Sequence, residues 1–294
     1  KNHVIHDEAI KVPSIKPFRN ADPFDAKTQA YLQKKQAAEV QSVLNNGFDF
    51  AGSIYAGNVP GHMPVEMEAH NMDWVTKAGL DFLNLAEKQE KPFYLHFCTT
   101  LNHGPGPAGE KYSADPRFTA AGVLKEELRV QPSRESIIER LKAAGIPYKG
   151  DHSDPLWLDD GITAIVNKID QMGKLDNTII FFFNDNGMGA KGALYEGGAL
   201  SPAFVWGKPL MGGRRLNQLL ANIDFAPTVY ELCGIRKERQ PKMDGKSFVS
   251  LLKGDDTPVN EAIFLQIGST RAVLKDEYKY IAWRIHPDRE KNFD

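Results

Sequence analysis

The chain has 294 residues, and its 36 Lys and Arg against 38 Asp and Glu give a formal net charge of −2. This balance argues against a protein that binds nucleic acid through bulk charge. Hydrophobic residues at 41% and charged residues at 25% are typical of a globular chain and not of a disordered one. The longest purely apolar run, 179–183, is far shorter than the ~20 residues that cross a bilayer, so we expect no membrane span.

The length suits one large α/β domain or two average ones. The two cysteines, Cys98 and Cys233, are too few for a disulfide framework. The chain starts at Lys1 with no charged-then-apolar signal segment, and it stops directly after a strand-like stretch. We therefore expect a fragment of a longer protein, cut at both ends.

Apolar periodicity predicts helices over 25–46, 72–88, 134–144, 155–172 and 216–232. Asp25 is a suitable N-cap for the first helix, and Asp154 followed by Pro155 predicts the start of the fourth. Two segments between the helices, 48–66 and 104–153, are rich in Gly, Pro and either aromatic or charged residues. We expect these two excursions to shape a substrate subsite.

Short apolar runs predict strands over 92–99, 178–183 and 203–206, and alternation predicts antiparallel strands over 261–267 and 271–284. The run 178–183 is continuously apolar, which is typical of a parallel strand covered on both faces. The predicted fold class is therefore α/β, with a mostly parallel central sheet flanked by helices. We expect an α/β core over 1–256 and a small C-terminal antiparallel α+β subdomain over 257–294, both incomplete.

Asp185 and Asn186 follow the predicted strand 178–183. Ligands in open α/β sheets bind beyond the carboxyl ends of the strands, and oxygen donors suit a hard cation such as Ca²⁺ or Mg²⁺. The same Asn-Asp-Asn-Gly run is also good turn chemistry, so a plain turn is the alternative. Two ligands are too few for Ca²⁺, so a real site needs further ligands from elsewhere.

Three further positions offer positive charge or imidazole. Lys191 lies in a Gly-flanked loop, where it could bind an oxyanion or be a solvated surface lysine. His103 follows the predicted strand 92–99 and is either an acid, base or anion ligand or an incidental loop histidine. Lys1 and His3 would ordinarily be dismissed as a disordered terminus. Together these residues fit a pocket for a negatively charged tetrahedral ester.

Several motifs run through the chain in a fixed order. They are Lys1-Asn2-His3, Gly47-Phe48-Asp49, the run 91–105 that ends in Asn102-His103-Gly104-Pro105, the runs 158–162 and 175–187, the Lys-Gly-x-x-Tyr-Glu-Gly-Gly loop 191–198, Thr270-Arg271-Ala272-Val273 and Tyr278-Lys279-Tyr280-Ile281. In their order and in their residue types, these motifs resemble those of the type I sulfatases of the alkaline phosphatase superfamily. The resemblance covers almost the whole chain.

The resemblance implies a role for each candidate. Asp185 and Asn186 would ligate Ca²⁺, with Mg²⁺ as the alternative metal. Lys1, His103 and Lys191 would contact the sulfate, with His103 or Lys191 assisting departure of the leaving oxygen. His3 would hold the hydroxyl of the nucleophile. The implied partner is a sulfated carbohydrate or another small sulfate ester, and the implied location is periplasmic or secreted.

Two elements of the family pattern are missing from this sequence. The family's nucleophile is a formylglycine made from Cys or Ser in Cys/Ser-x-Pro-x-Arg, and it precedes the Lys-x-His motif together with an Asp-Asp metal pair. The one lookalike, 130–134, has Val at the nucleophile position and lies after Lys-x-His, so we interpret it as chance. We expect the formylglycine and half of the metal ligands in a missing N-terminal segment, and we expect this chain alone to be inactive.

Two alternatives remain open from the sequence. One is a phosphodiester or phosphonate-ester hydrolase of the same superfamily, which the upstream nucleophile motif would distinguish. The other is a non-catalytic glycan-binding relative. Candidate sugar contacts are His62, His70, Arg134, Trp157 and Arg214, although each also suits a structural or surface position.

Overall fold

The computed structural model describes residues 2, 5–101, 103, 114–147, 153–187, 189, 191–208, 210 and 212–283. The chain divides into two compact units, Lys1–Lys174 and Leu175–Asp294. The subdomain boundary predicted after residue 256 falls inside the second unit and stays a prediction. No helix in the described part of the chain is both long enough and apolar enough to cross a membrane.

The first unit is mainly helical. Its described elements are α1 (Ala26–Asn45), α2 (Met72–Glu87), the short hairpin of β1 (Phe118–Thr119) and β2 (Gly122–Val123), α3 (Arg134–Ala143) and α4 (Ser153–Gln171). The predicted cap of α1 is confirmed, because the Asp25 carboxylate accepts the N–H groups of Lys27 at 2.9 Å and Thr28 at 3.0 Å. The predicted cap of α4 is wrong, since that helix already begins at Ser153 and Asp154 lies inside its first turn. Pro155 tolerates this earlier start, because a proline anywhere in the first turn forfeits no intrahelical hydrogen bond.

Helices α2 and α4 pack closely at two glycines. A Cβ atom at Gly79 of α2 would lie 2.6 Å from the Cδ1 atom of Ile165. A Cβ atom at Gly161 of α4 would overlap the Met72 side chain and lie 2.7 Å from the Thr76 hydroxyl. Each helix therefore approaches the other at a glycine, where a larger residue would require the neighbouring side chains to move.

The irregular segment 48–66, which we expect to shape a substrate subsite, supplies part of the core of the first unit. Tyr55, Val59 and Met63 are at most 2% exposed. They cluster with Leu32 of α1 and Trp74 of α2, and the Tyr55 and Trp74 rings meet edge-on at 5.2 Å. Because Gly and Pro interrupt any helical or strand periodicity in this segment, the pattern did not reveal that the apolar residues between them are buried.

The strand predicted over 92–99 is not formed. The side chains do alternate, with Phe93 packed edge-on against Phe82 at 6.0 Å while Tyr94, His96 and Cys98 are exposed. However, a strand is defined by hydrogen bonds to a neighbouring strand, and no described strand pairs with this segment. The short apolar run therefore identified an extended segment with one covered face, and the run by itself could not indicate a partner strand.

The second unit contains two antiparallel sheets and short helices. Its described elements are β3 (Ile180–Phe183), α5 (Glu196–Ala199), β4 (Ala203–Trp206), α6 (Phe225–Leu232), α7 (Val249–Leu252), β5 (Ile263–Ile267), β6 (Thr270–Lys275) and β7 (Tyr278–Ala282). Strand β3 pairs antiparallel with β4, with Ile180 opposite Trp206 and Phe183 opposite Ala203. The parallel pairing expected from its apolar run is therefore wrong for this pair. Phe183 is 44% exposed, so β3 is also not covered on both faces along its whole length.

The C-terminal antiparallel sheet is confirmed. Strands β5, β6 and β7 lie in that order, and the turn between β6 and β7 includes Asp276 at φ 51°. The helix predicted over 216–232 is shorter than expected, because α6 begins only at Phe225, after a 3₁₀ turn at Asn222–Asp224. Pro227 accounts for the difference, since proline fits the first turn of a helix but would break a helix that began at 216.

One carboxyl group of the first unit is buried near an arginine. Asp73, in the first turn of α2, is 7% exposed. Burial raises the pKa of Asp73 from 3.8 to about 6, and the nearby Arg134 guanidinium opposes part of that rise. Arg134 itself is buried and lies over the Trp157 ring at 5.2 Å from its centroid.

The pKa of Asp73 is higher in the folded state than in the unfolded state. Between about pH 4 and 6 the folded state therefore keeps a proton on Asp73 that the unfolded chain releases. The stability contributed by the protonated form is present below that window and is lost as the pH rises through it. The free energy of unfolding therefore falls as the pH rises from about 4 to 6. We expect the substitution Asp73→Asn to reduce this fall by about 2 kcal/mol, because the amide has no proton to release in this range. Urea unfolding at pH 4, 5 and 6 measures the effect. The control is Asp81→Asn in the same helix, at a half-buried carboxylate that pairs with Lys77. An unchanged pH slope in Asp73→Asn would contradict the prediction.

Candidate active site

The candidate metal ligands lie at the end of strand β3. Asp185 is exposed and Asn186 is half-buried. Only Asn184 separates this pair from Phe183, the last residue of β3. The backbone at this point is fixed by the segment that leads into β4. The N–H of Asn184 donates to the Pro202 carbonyl at 3.3 Å, and the Ser201 hydroxyl donates to the Asn184 carbonyl at 2.6 Å. The sequence-predicted position of the pair at a strand's carboxyl end is therefore confirmed.

The next residue, Gly187, ties this turn to the loop that carries Lys191. Its N–H donates to the Gly198 carbonyl at 3.0 Å. A Cβ atom at position 187 would overlap the Gly197 carbonyl oxygen and lie 2.8 Å from the Gly197 carbonyl carbon and 3.0 Å from the Leu200 oxygen. All three obstacles are backbone atoms, so they cannot rotate away as a side chain could. Only glycine fits here.

Lys191 lies in a turn at the start of the loop 191–198, and its side chain is exposed. The loop ends in the short helix α5, whose start is stabilised by hydrogen bonds from the N–H groups of Gly198 and Ala199 to the Tyr195 carbonyl, both at 2.9 Å. The structure thus links the Asp185–Asn186 turn and the Lys191 loop through one backbone contact, Gly187 to Gly198. An exposed ammonium on a loop that is joined to a turn with oxygen donors suits a site for an anion and a metal.

The donor chemistry of Asp185 and Asn186 fits a hard cation such as Ca²⁺, because both offer oxygen atoms. The number of donors is too small, since one carboxylate and one amide supply at most three of the 6–8 oxygens that Ca²⁺ takes. Within the described ranges, no three His, Cys, Asp or Glu side chains lie together in a way that could hold a metal. The described residues therefore fit part of a coordination shell.

His103 belongs to the first unit. Its N–H donates to the Thr100 carbonyl at 3.1 Å, and the Thr100 hydroxyl lies 2.7 Å from the Nδ1 atom of His70. His70 and Thr100 are both buried, so the turn that carries half-buried His103 is anchored on the core. Lys1 and His3 lie outside the described residues. Asn2, between them in the sequence, donates its N–H to the Tyr55 carbonyl at 2.7 Å.

Three of the proposed sugar contacts are core residues. His70, Arg134 and Trp157 are at most 4% exposed, so their interpretation as sugar contacts is wrong in this structure. Arg214 forms an ion pair with Asp256. His62 is half-buried, and its ring lies where a side chain at Gly57 would otherwise fit.

Sequence reasoning missed the residues that hold the site together. Gly187, Gly198 and Ser201 make the backbone contacts described above, and Lys279 of β7 reaches into the 191–198 loop. Gly187 and the Gly197-Gly198 pair were visible as glycines, but no local pattern indicated that they meet. The contact joins residues far enough apart that only folding brings them together.

We expect the substitution Gly187→Ala to push the two loops apart, because its methyl group would meet backbone. The expected cost is about 2 kcal/mol in the free energy of unfolding of the second unit, with faster exchange of the amide hydrogens at 185–187. The matched control is Gly189→Ala, where an added Cβ atom meets its nearest neighbour at 3.9 Å. Hydrogen exchange followed by mass spectrometry measures both variants. Equal exchange in the two variants would show that the close approach at Gly187 is unimportant.

The chain is similar to known proteins in sequence and in fold. The family model described as Sulfatase matches residues 24–235. The N-acetylglucosamine-6-sulfatase of Bos taurus is 28% identical over 224 residues, which cover 68% of this chain and 39% of the relative. The ulvan-active sulfatase of Formosa agariphila is 31% identical over 203 residues, which cover 65% of this chain and 38% of the relative. The chain therefore spans less than half the length of these relatives.

Among solved structures, the crystal structure of Ps i-CgsB is similar with a TM-score of 0.55 and 20% identity, over 74% of this chain and 47% of that one. This likeness supports the fold alone, in agreement with the predicted α/β class. The family model covers well over half of the chain. The chain therefore belongs to the sulfatase family.

Proposed function

We propose that this chain forms part of an enzyme that hydrolyses sulfate esters on a sulfated carbohydrate. The observation that carries the proposal is the backbone contact between Gly187 and Gly198, which couples two oxygen donors to the loop of an exposed lysine. Two relatives support the substrate class by their names, since one is an N-acetylglucosamine-6-sulfatase and the other an ulvan-active sulfatase.

In this proposal Asp185 and Asn186 bind Ca²⁺, with Mg²⁺ as the alternative metal. When bound, the cation stabilises negative charge on the sulfate oxygens. Lys191 binds a sulfate oxygen with its ammonium and neutralises charge as the ester bond breaks. On the resemblance alone, we propose that Lys1 and His103 also contact the sulfate and that His3 holds the nucleophile.

The remaining parts of the site are proposed in a segment N-terminal to this chain. That segment would supply the formylglycine nucleophile and the other metal ligands, and it would pack against this chain as a part of the same protein. The proposed location is periplasmic or secreted. In support, one relative is named as an extracellular sulfatase homologue of Drosophila melanogaster.

The test compares the chain alone with the chain extended by its upstream coding sequence. We expect the extended protein to release sulfate from 6-O-sulfated N-acetylglucosamine, ulvan oligosaccharides or an aryl sulfate in the presence of Ca²⁺, and the chain alone to release none. In the extended protein, Asp185→Asn should lower the rate by at least about 100-fold and weaken Ca²⁺ binding, because a charged ligand is lost.

The control is Asp176→Asn, a substitution of the same kind at an exposed carboxylate that pairs with Lys208 in the same unit. We expect it to leave the rate within about twofold of the parent. Failure of the extended protein to release sulfate from any of these substrates would overturn the proposal, as would equal rates in the two variants.

A further inference from the structure

We propose that Lys279 is a positioning residue, which fixes the 191–198 loop and through it the Asp185–Asn186 turn. The inference rests on the proposed function, because it assigns Lys279 to the support of that site. Lys279 itself contacts neither of the proposed metal ligands. It acts through the loop from strand β7 of the C-terminal sheet.

Two contacts join the Lys279 ammonium to the loop. Its Nζ atom donates to the Leu194 carbonyl at 3.1 Å and to the Glu196 carboxylate. The Lys279 side chain is 15% exposed, whereas that of Glu196 is 62% exposed, so the ammonium is the more deeply placed partner. A ring contact lies next to these two contacts in the sequence: the rings of Tyr195 and Trp283 have centroids 6.3 Å apart.

The position of Lys279 in the sheet argues that these contacts are specific. Lys279 lies opposite Leu274, on the face of the sheet that also carries Ala272, which is 4% exposed. The neighbouring residues Tyr278 and Tyr280 point to the opposite face and are 82% and 69% exposed. A lysine on the covered face of a strand pays for desolvation unless its ammonium has partners. Leu194 and Glu196 are those partners.

The loop transmits this restraint to the candidate site. Glu196 is the first residue of α5, and its carbonyl accepts the N–H of Leu200 at 2.9 Å. The same short helix contains Gly198, whose carbonyl accepts the Gly187 N–H. Fixing Glu196 therefore fixes the carbonyl on which the turn after Asp185 and Asn186 depends.

The experiment uses Lys279→Met, which keeps an unbranched side chain but loses the charge, and Lys279→Arg, which keeps the charge. The matched control is Lys275→Met, at an exposed position of β6 in the same sheet. Two quantities are measured on the chain extended by its upstream coding sequence and on variants of that protein, because the proposed site needs ligands from the upstream segment. They are the hydrogen-exchange rate at the amide of Gly187 and the affinity for inorganic sulfate with Ca²⁺ present.

We expect Lys279→Met to raise the exchange rate about tenfold and to weaken sulfate binding about tenfold, since hydrogen bonds to a charged group are lost. Lys279→Arg should recover most of both effects, and Lys275→Met should change neither. A second variant, Glu196→Gln, removes the acidic partner at an exposed position and should reproduce the exchange effect even if Lys279→Met folds poorly.

Unchanged exchange in both Lys279→Met and Glu196→Gln would overturn the inference, and so would faster exchange with unchanged sulfate affinity. If the extended parent protein binds no sulfate, that result counts against the site assignment in the proposed function. The exchange rates then decide by themselves whether Lys279 holds the loop.

Discussion

Two stretches of backbone meet at Gly187 with no space for a side chain between them, and the candidate site depends on this contact. The N–H of Gly187 binds the Gly198 carbonyl at 3.0 Å, and the Gly197 carbonyl occupies the place of a Cβ atom. On one side of the contact lie two oxygen donors, and on the other lies the loop that begins with Lys191. A hydrogen bond between main-chain atoms sets this arrangement more firmly than a contact between long side chains, because it leaves no rotamers to adjust.

Several buried or half-buried charged residues hold the structure through paired contacts, whereas Lys191 is exposed to water. Asp160 of α4 is bound at both oxygens by Arg140, at 2.7 and 2.5 Å, and buried Glu68 accepts from Arg19. Lys279 is held in the same way by the 191–198 loop. Charges that leave water need such partners. Lys191 is exposed instead, so its ammonium can exchange water for an anionic ligand at small cost.

The coordination chemistry explains why this chain supplies part of a site. Asp185 and Asn186 provide at most three oxygen donors, and a calcium ion needs 6–8. The chain also spans 39% of the length of the bovine relative. Both facts agree with the proposal that further ligands and the nucleophile come from elsewhere in the protein. Within the second unit, the contacts of Gly187, Ser201 and Lys279 hold the Asp185–Asn186 turn and the 191–198 loop in place.

The sequence by itself determined the local features. The helix beginning at Asp25, the antiparallel strands from residue 263 onward and the polar turn after Phe183 all follow from caps, alternation and turn residues, which act over a few neighbouring positions. Motif order was enough to indicate the family. Tertiary structure alone decided the pairing of β3 with β4, the burial of the irregular segment around Tyr55 and the ion pair of Lys279 with Glu196. Each of these contacts joins residues that are distant in the chain. Local propensities depend on neighbouring residues, so they do not indicate which distant partner covers an apolar surface or neutralises a buried charge.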